Sequence, residues 1–196
     1  MKLMADMAAS KLQAKGIIRK EEVAIYHYGV DALFTSLLEL MSILLLASIV
    51  GNLVETILFF LAFIPLRIYA GGYHASTRSR CYLLSLAVYG LFSLALTFVP
   101  VACYLSLILG GSVLTAVTVL RYAPIVHENR KVSLENRERC RKVSIGLCAI
   151  EIIILVTLQC IFKESTFIFA LFLGMFSETL SMLAVKDGGS IKLRRF

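Results

Sequence analysis

The sequence predicts an all-α, polytopic integral membrane helix bundle of about six transmembrane helices, on three observations. First, a chain of 196 residues that is 59% apolar and 17% charged, with a mean hydropathy of +0.83, is too apolar for a soluble domain. Second, runs long enough to span a bilayer, which takes about 17–25 mostly apolar residues, occur at roughly 30–50, 53–70, 82–100, 102–121, 143–162 and 165–185. Third, nineteen of the twenty Lys and Arg residues fall in four segments, 1–29, 67–80, 121–142 and 186–196, and only Lys163 lies elsewhere. The connections near 51–52, 101 and 163–164 are short and almost uncharged, so the positive-inside rule puts the N- and C-termini and both basic loops in the cytoplasm. No internal repeat or low-complexity segment divides the chain, which reads as one membrane domain over 1–196.

Residues 1–28 are neither a signal peptide nor a span. Lys2, Asp6, Lys11, Lys15, Arg19, Lys20, Glu21 and Glu22 break every apolar run, while Leu3, Met4, Met7, Ala14, Ile17 and Ile18 recur at helical spacing. The pattern predicts an interfacial helix on the inner leaflet, either a dock for an amphipathic substrate segment or an anchor for the first span. His27, between Tyr26 and Tyr28, marks the membrane interface. The first span, 30–50, ends at Gly51, which suits a tight turn. The second, 53–70, is short and runs into a polar segment, which leaves a re-entrant reading and a four-helix count open. Pro65, Pro100 and Pro124 stand at or near span ends, and Gly110-Gly111 suits a close helix contact. Segment 121–142 is the one substantial soluble loop. Its Arg, Lys and Glu mixture fits a solvated surface or recognition of an acidic peptide.

Between the second and third spans, residues 65–82 interrupt lipid-like sequence with paired glycines, His74 and Cys81. A thiol is a useful nucleophile as thiolate, and a neighbouring imidazole can take its proton and return it to a leaving amine. Continuous helix would hold His74 and Cys81 roughly 10 Å apart along the axis, too far for direct contact. The segment between them must therefore bend. Gly71 and Gly72, then Ser76, Thr77 and Ser79, suit a turn or re-entrant loop, and the apolar run from Tyr82 predicts a helix directly after Cys81. Cys81 then sits at a helix N-terminus with Arg78 and Arg80 nearby, a setting that favours the thiolate. A structural His and Cys in a loop would leave the same pattern.

The run Arg67, Gly71-Gly72-Tyr-His74-Ala75, then Cys81 seven residues after the His, resembles the signature of the accessory gene regulator B (AgrB) family of bacterial membrane endopeptidases. So does Arg121-Tyr-Ala-Pro124 followed by Glu128-Asn-Arg130. The resemblance spans nearly the whole chain in length and hydropathy. One departure is Lys131, where family members often carry Pro. The resemblance implies a cysteine-type endopeptidase of the cell membrane that cleaves the C-terminal part of a quorum-sensing signal-peptide precursor, AgrD-like, through a Cys acyl-enzyme and promotes thiolactone closure. It implies His74 and Cys81 as catalytic residues, supported by Arg67, Gly71, Gly72 and Arg130, and a homodimer; Lys131 joins Arg130 as a candidate for holding an acidic precursor tail on its charge alone.

The other residues bound this reading. Cys103, Cys140, Cys148 and Cys160 form no C-x-x-C pair, so no metal or redox motif is signalled, and no cofactor is called for. Cys140, with His127 thirteen residues before it, is the rival nucleophile. The net charge of +7 flanks spans and carries no nucleic-acid motif, so anionic membrane lipid accounts for it. Carboxylates at Asp31, Glu39, Glu55, Glu151 and Glu178 fall at or inside predicted spans, where each charge costs about 3 kcal/mol. Asp31 and Glu178, nearest the inner face, are candidates for a third catalytic group. A small-solute transporter built on these carboxylates and a non-catalytic membrane scaffold are the alternative functions.

Overall fold

The computed structural model describes residues 23–73, 77–125, 134–162 and 165–187, with isolated positions between 7 and 19. Within them the chain forms six long helices, α1 (Val23–Val50), α2 (Leu53–Ala70), α3 (Arg78–Phe98), α4 (Tyr104–Tyr122), α5 (Leu134–Ile161) and α6 (Thr166–Asp187), with a 3-10 turn at Val101–Cys103 and no strand. All six are long and apolar enough to cross a membrane. The α2 segment is a full helix of 18 residues with Pro65 inside it, so the re-entrant and four-helix readings fall.

Lipid tails are as apolar as Leu, so apolar burial does little to drive helices together in a bilayer, and close packing of small residues decides which faces meet. α6 is the most buried span and lies at the centre. Gly174 and Ala170 let α2 approach it closely: a Cβ on Gly174 would collide with the Phe59 carbonyl oxygen and lie 3.2 Å from Ala62 Cβ. Ala62, Leu66 and Ala70, one turn apart along α2, continue that seam and join Tyr104, Ile108 and Val119 of α4, Cys148 and Leu155 of α5, and Ile168, Phe169, Phe172, Met175 and Met182 of α6. Tyr104 stacks on Phe169 at 4.0 Å. A second cluster, Ile43, Ala47, Phe59, Tyr89, Phe92 and Ala170, attaches α1 and α3 to the other side of α2 and α6.

The two ends of the bundle differ. Where α1 turns into α2, Gly51 (φ 87°) makes the turn and Asn52 becomes a small hub. Asn52 accepts from the Tyr89 hydroxyl at 3.0 Å and donates to Ser93 Oγ at 3.1 Å, which ties the α1–α2 turn to α3. At the opposite end lie the last turns of α2, α4 and α6 and the first turns of α3 and α5, and there the polar residues gather.

Three boundaries differ from the sequence reading, for one reason: hydropathy marks the lipid-crossing part of a helix, not its start. α1 begins at Val23, so residues 23–28 are continuous with the first span helix. Before it, Met7, Ser10, Lys11 and Gln13 are helical, and Gly16 turns at φ 68° with its N–H on the Gln13 carbonyl at 2.9 Å. α3 begins at Arg78, four residues before Tyr82. α5 begins at Leu134, because Leu134-Glu-Asn-Arg-Glu-Arg-Cys-Arg-Lys is rich in good helix formers. Residues 134–142 of the basic segment 121–142 are therefore helical, with Arg137, Arg139, Arg141 and Lys142 on α5.

Candidate active site at the junction of α2, α3 and α6

α2 ends because Gly71 adopts φ 69°, ψ 177°, a conformation open essentially to glycine alone, while its N–H still closes the last turn on the Arg67 carbonyl at 3.2 Å. A Cβ on Gly71 would collide with the carbonyl oxygen of Ile125, just past α4, and the Ile125 N–H donates to the Ala70 carbonyl at 2.8 Å. The segment after Arg121-Tyr-Ala-Pro124 is thus seated on the end of α2. Two sequence stretches more than fifty residues apart form one structural unit.

Gly72 is buried for a different reason. A Cβ there would collide with Arg67 Nη1 and lie 2.6 Å from Ser181 Oγ and 2.9 Å from Glu178 Oε1. Arg67 reaches across this gap to α6. Its Nη1 donates to Ser181 Oγ at 2.6 Å and pairs with Glu178 Oε2 at 3.4 Å, while Nη2 donates to the carbonyl oxygen of Tyr73. The Tyr73 N–H donates to the Ser181 carbonyl at 3.2 Å and hydroxyl at 3.1 Å. Both backbone polar groups of Tyr73 are therefore taken up. Glu178 is fully buried and Arg67 has 20% of its side chain exposed, so the carboxylate faces the protein and the guanidinium faces the connection. A planar guanidinium can serve two partners along two edges at once, which a Lys ammonium cannot do with the same geometry.

After residues 74–76, α3 opens with Thr77 as N-cap, its backbone extended (φ −131°, ψ 150°) and its Oγ1 accepting from the Arg80 N–H at 3.4 Å. The Cys81 N–H donates to the Thr77 carbonyl at 3.0 Å, so Cys81 closes the first helical turn and does not precede it. Its side chain is half-buried. The expectation that Cys81 stands at a helix N-terminus is met, one turn further in than hydropathy alone placed it.

Of the residues singled out in the sequence, Arg67, Gly71 and Gly72 are brought together here, and Cys81 begins the next helix. His74, His127, Glu128, Arg130 and Lys131 lie outside the described residues. Glu178 engages Arg67. Asp31 is buried on α1. Cys140 is half-buried on α5 and its carbonyl accepts from Ser144 Oγ at 2.7 Å. None of the five cysteines is in a disulfide. Among the described residues no three of His, Cys, Asp and Glu gather as a metal site requires. Ser181 and the Tyr73 backbone were not legible in sequence. Thr77 was read only as a turn residue, and the structure makes it the N-cap of α3.

Six membrane-crossing helices with a polar, glycine-shaped connection clamped at one end define a multi-pass integral membrane protein. The model of the family described as accessory gene regulator B matches residues 5–183, and the chain belongs to that family. Membership suggests involvement in accessory gene regulator signal-peptide processing, with an AgrD-type precursor as partner. No curated protein and no solved structure matches the chain.

Proposed function

We propose that this protein is a membrane cysteine endopeptidase that cleaves an AgrD-type signal-peptide precursor and closes the released N-terminal part into a thiolactone. The observation that carries the reading is the half-buried Cys81 thiol in the capped first turn of α3, eight residues after a Tyr73 whose backbone is tied to α2 and α6. In this reading the Cys81 thiolate attacks the scissile carbonyl, the C–N bond breaks, and His74 delivers the proton to the departing amine. The acyl group is left as a thioester on Cys81. A thiolate within the precursor then attacks that thioester, its new C–S bond closes the ring, and Cys81 leaves as thiolate. The second step exchanges one thioester for another and is nearly balanced. The first runs uphill from amide to thioester, so removal of the released tail draws it forward, and a setting among apolar helices keeps water from the acyl-enzyme. Arg130 and Lys131, which follow the Ile125 contact, hold an acidic tail of the precursor. The site faces the cytoplasm, the working unit is a homodimer, and apolar side chains such as Leu45, Leu91 and Leu94 face lipid.

Purified membranes supplied with the precursor test the reading. Cys81→Ala abolishes both the acyl-enzyme and the processed peptide. His74→Ala leaves a thiol that alkylates slowly near neutral pH and recovers its rate as pH rises, because only thiolate reacts. Processed peptide from Cys81→Ala membranes overturns the assignment and makes Cys140 with His127 the pair to examine.

A further inference from the structure

We infer that Glu178 and Ser181 of α6 are positioning residues for the His74/Cys81 chemistry: through Arg67 they fix Tyr73, the residue immediately before His74. The inference rests on the dyad reading above and adds the part of the molecule that aims it.

The geometry is a chain of held groups. Ser181 is the shared acceptor, taking Arg67 Nη1 at 2.6 Å and the Tyr73 N–H at 3.1 Å on one oxygen. Glu178 Oε2 pairs with the same Nη1 at 3.4 Å, and Nη2 of the same guanidinium meets the Tyr73 carbonyl. Gly72 is side-chain-free where a Cβ would force Arg67 out of this position, and Gly71 is locked on Ile125. The backbone entering residue 74 is therefore set from α6, and the backbone leaving residue 76 is set by the Thr77 cap of α3. Glu178 Oε2 is engaged by Arg67, and its Oε1 is buried with no hydrogen-bond partner among the described residues.

A structural role for this knot would affect folding alone, whereas a positioning role acts on Cys81 through His74. The two are separated by a double-mutant cycle read on the protein itself. The parent is a full-length protein in which Cys103, Cys140, Cys148 and Cys160 are replaced by Ser, so that iodoacetamide reports on Cys81 alone. Alkylation rates are measured between pH 6 and pH 10 in detergent for the parent, Glu178→Leu, Ser181→Ala, Glu178→Gln, His74→Ala, and His74→Ala combined with Glu178→Leu or Ser181→Ala. Glu178→Leu and Ser181→Ala slow alkylation at pH 7 by about tenfold or more, toward the His74→Ala rate, and converge with the parent at high pH, since a misplaced base loses its effect. Glu178→Gln, which keeps an acceptor oxygen for Arg67, recovers part of the rate. In the His74→Ala background neither α6 substitution slows alkylation further.

Parent-like rates for both α6 variants, or an undiminished loss from them in the His74→Ala background, overturn the inference while leaving the dyad standing. A parent-like rate for His74→Ala overturns the dyad, and the inference with it. Ser181→Ala removes one oxygen and carries the test if Glu178→Leu fails to accumulate.

Discussion

Gly71 and Gly72 stand side by side for unrelated reasons, and the difference is measurable. Gly71 holds φ 69°, ψ 177°, where a residue with a Cβ costs about 1–3 kcal/mol, and its Cβ would meet the backbone of Ile125, which cannot swing aside. Gly72 has ordinary backbone, and the atoms a Cβ would strike belong to Arg67, Ser181 and Glu178. The nearest is the end of a flexible side chain, which can move but then leaves both Tyr73 and the buried Glu178. Gly71→Ala therefore lowers the thermal midpoint of the purified protein, by a shift corresponding to about 1–3 kcal/mol or more. Gly72→Ala acts instead by displacing Arg67, and it depresses precursor cleavage. A midpoint for Gly71→Ala equal to that of the parent would show that the connection is not held as described. From sequence, the pair was legible only as turn-forming glycine. The distinct neighbours come from Ile125 and Ser181, 54 and 109 positions away from the glycines they crowd, and no local pattern encodes that.

At the scale of elements, hydropathy placed all six helices and misplaced the starts of three. The residues Arg78-Ser-Arg and Leu134 to Lys142 are helical because of a cap or good helix-forming side chains, and neither property is apolar. That correction changes what the basic segment can do. A helix turns about 100° per residue, so Arg137 and Arg141 share one face of α5, while Arg139 and Lys142 share nearly the opposite one. Arg141 Nη2 donates to the Leu120 carbonyl at 3.5 Å, which turns the first face toward the end of α4 and thus toward the Ile125–Gly71 contact. If an acidic precursor tail is held near the candidate site, Arg137→Gln with Arg141→Gln weakens precursor binding several-fold more than Arg139→Gln with Lys142→Gln. The difference shrinks in high salt as surface charges are screened. Equal losses from the two pairs would mean that α5 contributes diffuse charge only.

The Arg67–Glu178 pairing shows where sequence reasoning stops. A carboxylate inside a span predicts a partner, and an Arg at a span end is a candidate, yet the register between α2 and α6 follows from Gly174 meeting Phe59, a contact no sequence period announces. The same register makes topology a property of the whole bundle. Arg67 with Glu178, Ala70 with Ile125, and Arg141 with Leu120 put the ends of α2, α4 and α6 and the starts of α3 and α5 on one side. The end of α5 at Ile161 and the start of α6 at Thr166 lie on the other. In the proposed orientation the shared side is the cytoplasmic one, because nineteen of twenty basic residues flank it or the termini. Starting from a variant without cysteine, Ser76→Cys, Val132→Cys, Lys163→Cys and Lys192→Cys are exposed on intact cells to a membrane-impermeant maleimide, and again after permeabilisation. Position 163 labels in intact cells, and 76, 132 and 192 label only after permeabilisation. The reverse pattern would leave the bundle intact and turn it over, with the candidate site outside. Labelling of 76 without 132 would contradict the helix register itself.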